Sequence, residues 1–367
     1  MILPAPLVAA PEDVKGFPNA PAVFLVHARE GSPYLGRTTM LRRRMLRLFG
    51  QRPAFSRLLN LRSVAVRIES WLTASQIESM LIHYALARRH FPEDYLKLTR
   101  LRMPPYLRVI LSNEFPRMQV TTQVSGSRSF TYGPFRARAT AEAFESQVLD
   151  LFQMRRCQED LEPALDHPGC IYGEMNMCLR PCQQVVSAQE YASEVRRATD
   201  FLASQGRSLI ETITAARERF SAEMEFEEAA RQHKLVEKIE QALKLRDELA
   251  MAVDRLNGVT VARSMEAQCV ELWFVLAGCW LPPVRFSLAV VEGRPQPLDQ
   301  RLRSVANALV PPKISVRERQ EHLAILARWY YSSWREGEWL PFQSVDAIPY
   351  RKLVNAIHRV AAGSAQQ

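Results

Sequence analysis

Hydrophobic and polar positions change period several times along the first hundred residues. Ala22 to His27 is a continuous apolar run, Arg29-Glu30-Gly31-Ser32 supplies turn residues, and Pro33 to Gly36 is extended again, which predicts a β-hairpin. From Thr38 the period becomes helical: Met40, Leu41, Met45, Leu48 and Phe49 are apolar, with Arg42, Arg43, Arg44 and Arg47 between them. Val64 to Ile68 reads as a strand. Thr73 opens a helix that runs to Arg89, with Thr73 and Gln76 at capping-box spacing. Residues 104–138 are turn-rich and extended, 139–155 helical and 156–183 loop-like, while 188–254 form two long amphipathic helices joined near Gln205-Gly206. Strands follow at 259–263, 269–276 and 284–291, then helices at about 298–309 and 315–335, and a last helix after Pro349.

This order predicts an α+β protein. A loose lead-in covers residues 1–19, an α/β sandwich domain 20–105, a β-rich linker and helix 106–155, and a cysteine segment 156–183. A helical pair covers 184–256, and a small α+β unit closes the chain over 257–367. The 367 residues suffice for two or three cores. With 47% hydrophobic and 24% charged residues, wholesale disorder is excluded. No run approaches the roughly 18 apolar residues of a membrane span. Met1 to Ala10 is broken by Pro4 and Pro6 and has no basic stretch before it, so a cytoplasmic protein is expected.

Charge sharpens the picture. The net charge is +9, but residues 1–110 hold 17 Lys and Arg against 7 Asp and Glu, and the remainder sums to −1. A basic N-terminal domain on a near-neutral body suits contact with nucleic acid phosphates. Cysteines are also localised: Cys157, Cys170, Cys178 and Cys182 run Cys-x12-Cys-x7-Cys-x3-Cys, while Cys269 and Cys279 lie apart in strand-like sequence. In a cytosolic chain such a group favours metal over disulfides, and the spacing leaves zinc and an iron–sulfur cluster both open. His167 lies inside the segment as a lesser candidate ligand.

Ala22-Val23-Phe24, Tyr34-Leu35-Gly36-Arg37, and Leu41 and Arg44 in a basic helix resemble the GIY-YIG nuclease domain. Tyr132-Gly133-Pro134-Phe135, the four cysteines with Arg180-Pro181-Cys182, and Phe226-Glu227-Glu228-Ala229-Ala230 follow in order. Over residues 20 to about 245 the chain thus resembles the UvrC family, the dual-incision subunit of bacterial nucleotide excision repair. The resemblance implies one divalent ion held by a helix glutamate, a tyrosine that activates water and an arginine that steadies charge on the phosphate. Tyr34 matches the second-motif tyrosine, Arg37 stands for the usual lysine, and Arg44 matches the helix arginine.

Three positions depart from the family. Phe24 stands at the first-motif tyrosine without its hydroxyl, His83 at the metal-ligand glutamate, and Tyr95 at an asparagine. A single neutral imidazole is a poor ligand for the hard Mg²⁺ ion. Glu78 lies five residues earlier, about 140° off that helix face. The expectation is therefore a degenerate site that binds DNA through Arg37, Arg42, Arg43, Arg44 and Arg47 and does not hydrolyse it. A second reading is 3′-side incision of damaged DNA with Mg or Mn, using Tyr34, Arg37 and Arg44 with His83 as substitute ligand. A third is an iron–sulfur structural or redox protein outside repair. By resemblance the cysteines are expected to hold [4Fe–4S], with zinc as the alternative. Phe226, Ala229 and Ala230 fall on a stripe with Val236, Ile239 and Leu243, resembling the UVR motif that docks on UvrB, although His233-Lys234 replaces its Arg-Asp. Trp329, Tyr330, Tyr331, Trp334 and Trp339 read as core aromatics. In the 110 residues after Asn257 neither an RNase H-like carboxylate set nor helix-hairpin-helix motifs are recognisable.

Overall fold

The computed structural model describes residues 3–51, 59–124, 126, 128–289 and 296–364. The chain begins β1 (Leu7–Ala9), β2 (Ala22–Ala28), β3 (Tyr34–Thr38), α1 (Leu41–Phe49), β4 (Ala65–Leu72), α2 (Gln76–His90) and α3 (Tyr95–Thr99). Next come β5 (Tyr106–Ile110), β6 (Met118–Thr121), β7 (Ser129–Gly133), α4 (Arg138–Leu149) and α5 (Ile171–Glu174). Three helices, α6 (Ala188–Ala203), α7 (Arg207–Ala222) and α8 (Phe226–Lys244), lead to β8 (Met251–Ala252). The remainder is β9 (Asn257–Arg263), β10 (Cys269–Leu276), β11 (Cys279–Trp280), β12 (Val284–Ser287), α9 (Leu298–Asn307), α10 (Val316–Tyr330), β13 (Glu338–Phe342) and α11 (Tyr350–Ser364). The fold is α+β with open antiparallel sheets. No helix among the described residues is long and apolar enough to cross a membrane.

The chain divides into two compact units, one of residues 1–102, 257–312 and 328–367, the other of 103–256 and 313–327. In the first unit, β1-β4-β2-β3 form an antiparallel sheet. Strand β2 is apolar at every position from Ala22 to Val26 because both of its faces are covered. Phe24 and Val26 pack with Leu41 and Met45 of α1, whereas Val23 and Leu25 pack with Ile82 and Leu86 of α2. Phe24 stands opposite Gly36 of β3, where any Cβ would run into its ring.

Two local expectations change here. The lead-in is not loose: Leu7 to Ala9 pair with Ser70 to Ile68 at the sheet edge, and Val14 and Phe17 are buried. The Trp71 indole donates to the Pro4 carbonyl at 2.8 Å, which holds the segment down; residues 1 and 2 lie outside the described ones. Helix α2 is capped by Ser75 rather than Thr73. The Ser75 hydroxyl accepts from the Glu78 N–H at 3.3 Å, and the Glu78 carboxylate accepts from the Ala74 N–H at 2.7 Å. Thr73 instead belongs to the strand end, its N–H bonded to the Pro21 carbonyl at 2.9 Å.

The same unit holds a second sheet, β11-β10-β9-β13 with β12 on β10. Helices α9 and α11 cover it through Leu302, Leu353 and Ile357. The strand expected over 284–291 is formed at Val284–Ser287, and positions 290 and 291 lie outside the described residues. Helix α10 ends at Tyr330, five residues short of the expected end. Trp329 is fully buried, as a core aromatic should be, while Trp334 is exposed.

In the second unit β6-β5-β7-β8 form a sheet whose core joins Val109, Tyr132, Phe144, Phe152 and Phe201. Helix α4 stops at Leu149, and Phe152 and Met154 then fold into the core. Two long helices were expected over 188–254; there are three, because Met224 adopts φ 61° between α7 and α8.

The contact of Phe24 with Gly36 is open to test by thermodynamic cycle. Gly36→Ala is expected to lower stability in urea melts by about 1–3 kcal/mol, and most of that loss should vanish in a Phe24→Val background. An equal loss in both backgrounds would dissociate Gly36 from the ring.

Candidate functional site

Edge strand β3, the outer face of α1 and the first turn of α2 enclose a cavity of about 440 Å³. Arg37 reaches it from β3, Arg44 and Arg47 from α1, and Thr73, Ser75, Gln76 and Ser79 from the start of α2. One Arg44 Nη donates to the Tyr34 hydroxyl at 2.9 Å, while its Nε is buried without a partner among the described residues. Arg37 donates to the Gln76 side-chain carbonyl at 3.1 Å. Phe24 is fully buried, its ring 6.0 Å from that of Tyr34, and it brings no hydroxyl. The five arginines separate into two groups. Arg42 and Arg43 are not in the lining; Arg42 donates to the Phe17 carbonyl at 2.6 Å and the Arg43 N–H meets Asn19 at 3.4 Å.

Two participants were not among the expected site residues. Glu336, in the loop between α10 and β13, brings its carboxylate into the lining and accepts from the Gln76 N–H at the start of α2. Thr73 is 1% exposed and its hydroxyl has no partner among the described residues. Glu336 lies some 300 residues from the hairpin and in no motif, so only the folded chain connects them.

His83 stands seven residues after Gln76, about two turns along α2. Burial, then the guanidinium groups of Arg37 and Arg328, push its imidazole down to about 4, so it is neutral at pH 7. Arg328 is fixed by donating to the Thr99 carbonyl at 2.7 Å and the Arg100 carbonyl at 3.2 Å. Cations therefore surround the position where the family resemblance calls for a carboxylate. Glu78 faces another environment: burial, with Glu271 nearby, pushes its carboxyl up to about 7 against the stabilising Ala74 N–H. Tyr95, at the asparagine position, is buried against Tyr84, the rings 6.2 Å apart.

The four clustered cysteines lie in the second unit, near enough to influence one another electrostatically. Cys178 and Cys182 are buried, Cys157 is partly buried and Cys170 is exposed. Burial first, then the neighbouring Cys157, Cys170 and Cys182, push the Cys178 thiol up to about 11, against an N–H from Arg180. That N–H reaches the Cys178 sulfur at 3.4 Å, and one Arg155 Nη reaches the Cys157 sulfur at 3.3 Å. Arg155 is almost fully buried and also donates to the carbonyls of Phe115 and Glu159, each at 2.9 Å. Its adjacency to Cys157 was visible in the sequence, but its burial was not. Among the described residues no three His, Cys, Asp or Glu side chains stand together as a site for one metal ion.

The stripe on α8 splits in two. Val236 and Ile239 are buried and Leu243 packs against the same core, whereas Phe226 is 66% exposed beside exposed Met224 at the α7–α8 turn. Ala229 lines a shallow groove with Arg217 and Ser221 of α7, and Ala230 is exposed.

His83 and Glu78 give opposed pH dependences. His83 is held below its ordinary 6.5, so its contribution is complete above that pH and lost as pH falls towards 4. Glu78 is held above its ordinary 4.5, so its contribution is complete below that pH and lost as pH rises through about 7. Wild-type stability should therefore be nearly level between about pH 4.5 and 6.5 as far as these groups decide it. Relative to wild type, Glu78→Gln should lose stability as pH falls across that window and His83→Gln as it rises. Thermal melts at stepped pH check this, and parallel curves for all three proteins would refute the assignment.

Comparison with known proteins supplies the context. Residues 105–201 match the family described as "UvrC/Cho excinuclease, middle domain". Over 324 residues the chain is 24% identical to UvrABC system protein C of Moorella thermoacetica, covering 87% of this chain and 52% of that protein. It is 23% identical to UvrABC system protein C of Lachnospira eligens over 286 residues, 77% of this chain and 47% of that one. The chain spans about half the length of these curated relatives. No solved structure matches it. The chain thus carries a match to the UvrC/Cho middle domain and is similar over most of its length to UvrABC system protein C.

Proposed function

We propose that the protein binds DNA in nucleotide excision repair through a degenerate GIY-YIG-type site that contacts phosphate and does not hydrolyse it. The repair role rests on the similarity to UvrABC system protein C. The observation that carries the rest is the charge of the site: Arg37, Arg44 and Arg47 converge on one cavity while neutral His83 lies among guanidinium groups. Phosphoryl transfer by a bound divalent ion needs anionic ligands for that ion. A cavity of guanidinium groups repels the ion and attracts the phosphodiester. Tyr34 orients Arg44 for that contact, and the exposed Phe226 with Ala229 and Ala230 offers a surface for a UvrB-like partner.

In the second unit, Cys157, Cys170, Cys178 and Cys182 would hold a [4Fe–4S] cluster. The four thiols influence one another electrostatically, and one thiolate per iron is the ligand set such a cluster needs. When bound, such a cluster supplies a local cross-link or an electron. The Arg155 guanidinium and the Arg180 N–H would stabilise its thiolates by hydrogen bonding to sulfur.

Duplex-binding titrations test the phosphate contact. Arg37→Ala and Arg44→Ala should each weaken binding about tenfold and lower the salt slope by about one, and binding should persist in a chelator. Metal-dependent cutting by the wild type that Arg44→Ala abolishes would replace this function with that of an active nuclease. Installing the missing groups by Phe24→Tyr with His83→Glu should create cutting if only the ligands are missing. For the cysteine centre, anaerobic purification should yield a brown protein with visible absorbance and about four irons per chain. A colourless protein with stoichiometric zinc would overturn the cluster.

A further inference from the structure

We propose that Glu336 occupies, in the DNA-free protein, the place of a phosphate group, and that the start of α2 is the phosphate subsite DNA enters by displacing it. This rests on the cavity being a phosphate site, and it adds which atoms receive the phosphate and what competes for them. Gln76 is the first residue of α2, where backbone N–H groups lack helical acceptors and the helix dipole favours an anion. In this structure the anion bonded there is the Glu336 carboxylate.

Ordinary capping does not account for the surroundings. Helix α2 already has its cap in Ser75 and its acidic first-turn residue in Glu78, both bonded locally. Glu336 comes from a separate part of the chain into a lining that also holds Arg37, Arg44 and Arg47. Among the described residues two donors at the cavity have no partner: the Thr73 hydroxyl, on a residue 1% exposed, and the buried Arg44 Nε. A carboxylate has two oxygens with which to satisfy donors; a phosphate has more, spread tetrahedrally, and so can reach groups that Glu336 leaves unbonded.

The loop is built to present this side chain. Gly337, next in sequence, has φ +77°, and a Cβ there would strike the Val261 carbonyl, so the turn that aims Glu336 requires glycine. On its other side Arg335 lies over the Tyr330 ring at 4.6 Å from the centroid. The carboxylate is thus delivered from a shaped loop, yet it is tied to α2 through a contact that another anion can replace.

The test is affinity for a short fluorescent duplex, measured with the full chain as wild type, Glu336→Gln and Glu336→Ala, each with and without Arg44→Ala. Glu336→Gln keeps a neutral acceptor for the Gln76 N–H, so the helix start stays capped while the competing charge is gone. Both Glu336 variants should bind about three- to tenfold tighter than wild type, and Arg44→Ala should remove the gain. Unchanged or weaker binding that still depends on Arg44 overturns the Glu336 assignment and leaves the phosphate reading standing. Binding that ignores Arg44 in every background, or no binding at all, removes both. In the wild type, the Gln76 amide resonance should shift on adding duplex; an unmoved resonance also overturns the proposal.

Discussion

Strand β2 has no face turned to water, and this single constraint locates the cavity. Because Phe24 and Val26 bury against α1 while Val23 and Leu25 bury against α2, the two helices sit on opposite sides of one sheet. Side chains from α1 and from the start of α2 can then meet only around an edge, and β3 is the edge strand next to β2. Tyr34 and Arg37 belong to that edge strand, so the hairpin, the basic helix and the capped helix converge there. Burial of a hydrophobic strand thus decides where the polar chemistry lies.

What gathers there is selective by charge. A divalent cation and a phosphate group make opposite demands: the first needs carboxylates arranged around it, the second needs guanidinium groups and open N–H donors. His83, flanked by Arg37 and Arg328, belongs to the second kind of environment, and Glu78 turns toward its own helix start. The scaffold does not depend on these polar groups, because the core packing of Phe24 against Gly36 needs a ring and makes no use of a hydroxyl.

Legibility in the sequence followed the range of the interactions. The hairpin and the helical periods were readable because their determinants lie within a few residues of each other. The split among the arginines was only partly readable: Arg44 and Arg47 are three apart on α1 and Arg42 lies on another face, but Arg43 stands four residues before Arg47 on the same face, and only the folded chain leaves it out of the lining. Strand β1 was missed because three residues carry too little pattern to identify a strand that is fixed by β4 and by the Trp71 contact with Pro4. The helix start was misplaced by two residues because Thr73 and Ser75 are equally good caps in isolation, and only the strand pairing of Thr73 decides between them. Glu336 was beyond reach, because its role exists only where distant parts of the chain meet.

Arg155 has a bearing on how the second unit depends on its surroundings. Its guanidinium is anchored by carbonyls of Phe115 and Glu159 as well as by the Cys157 sulfur, so most of its bonds go to backbone the chain itself supplies. The buried positive charge stays solvated by protein whether or not the thiols carry iron. The segment around the cysteines is therefore held from its base by the polypeptide, so the fold of the second unit rests on these bonds whatever the thiols carry.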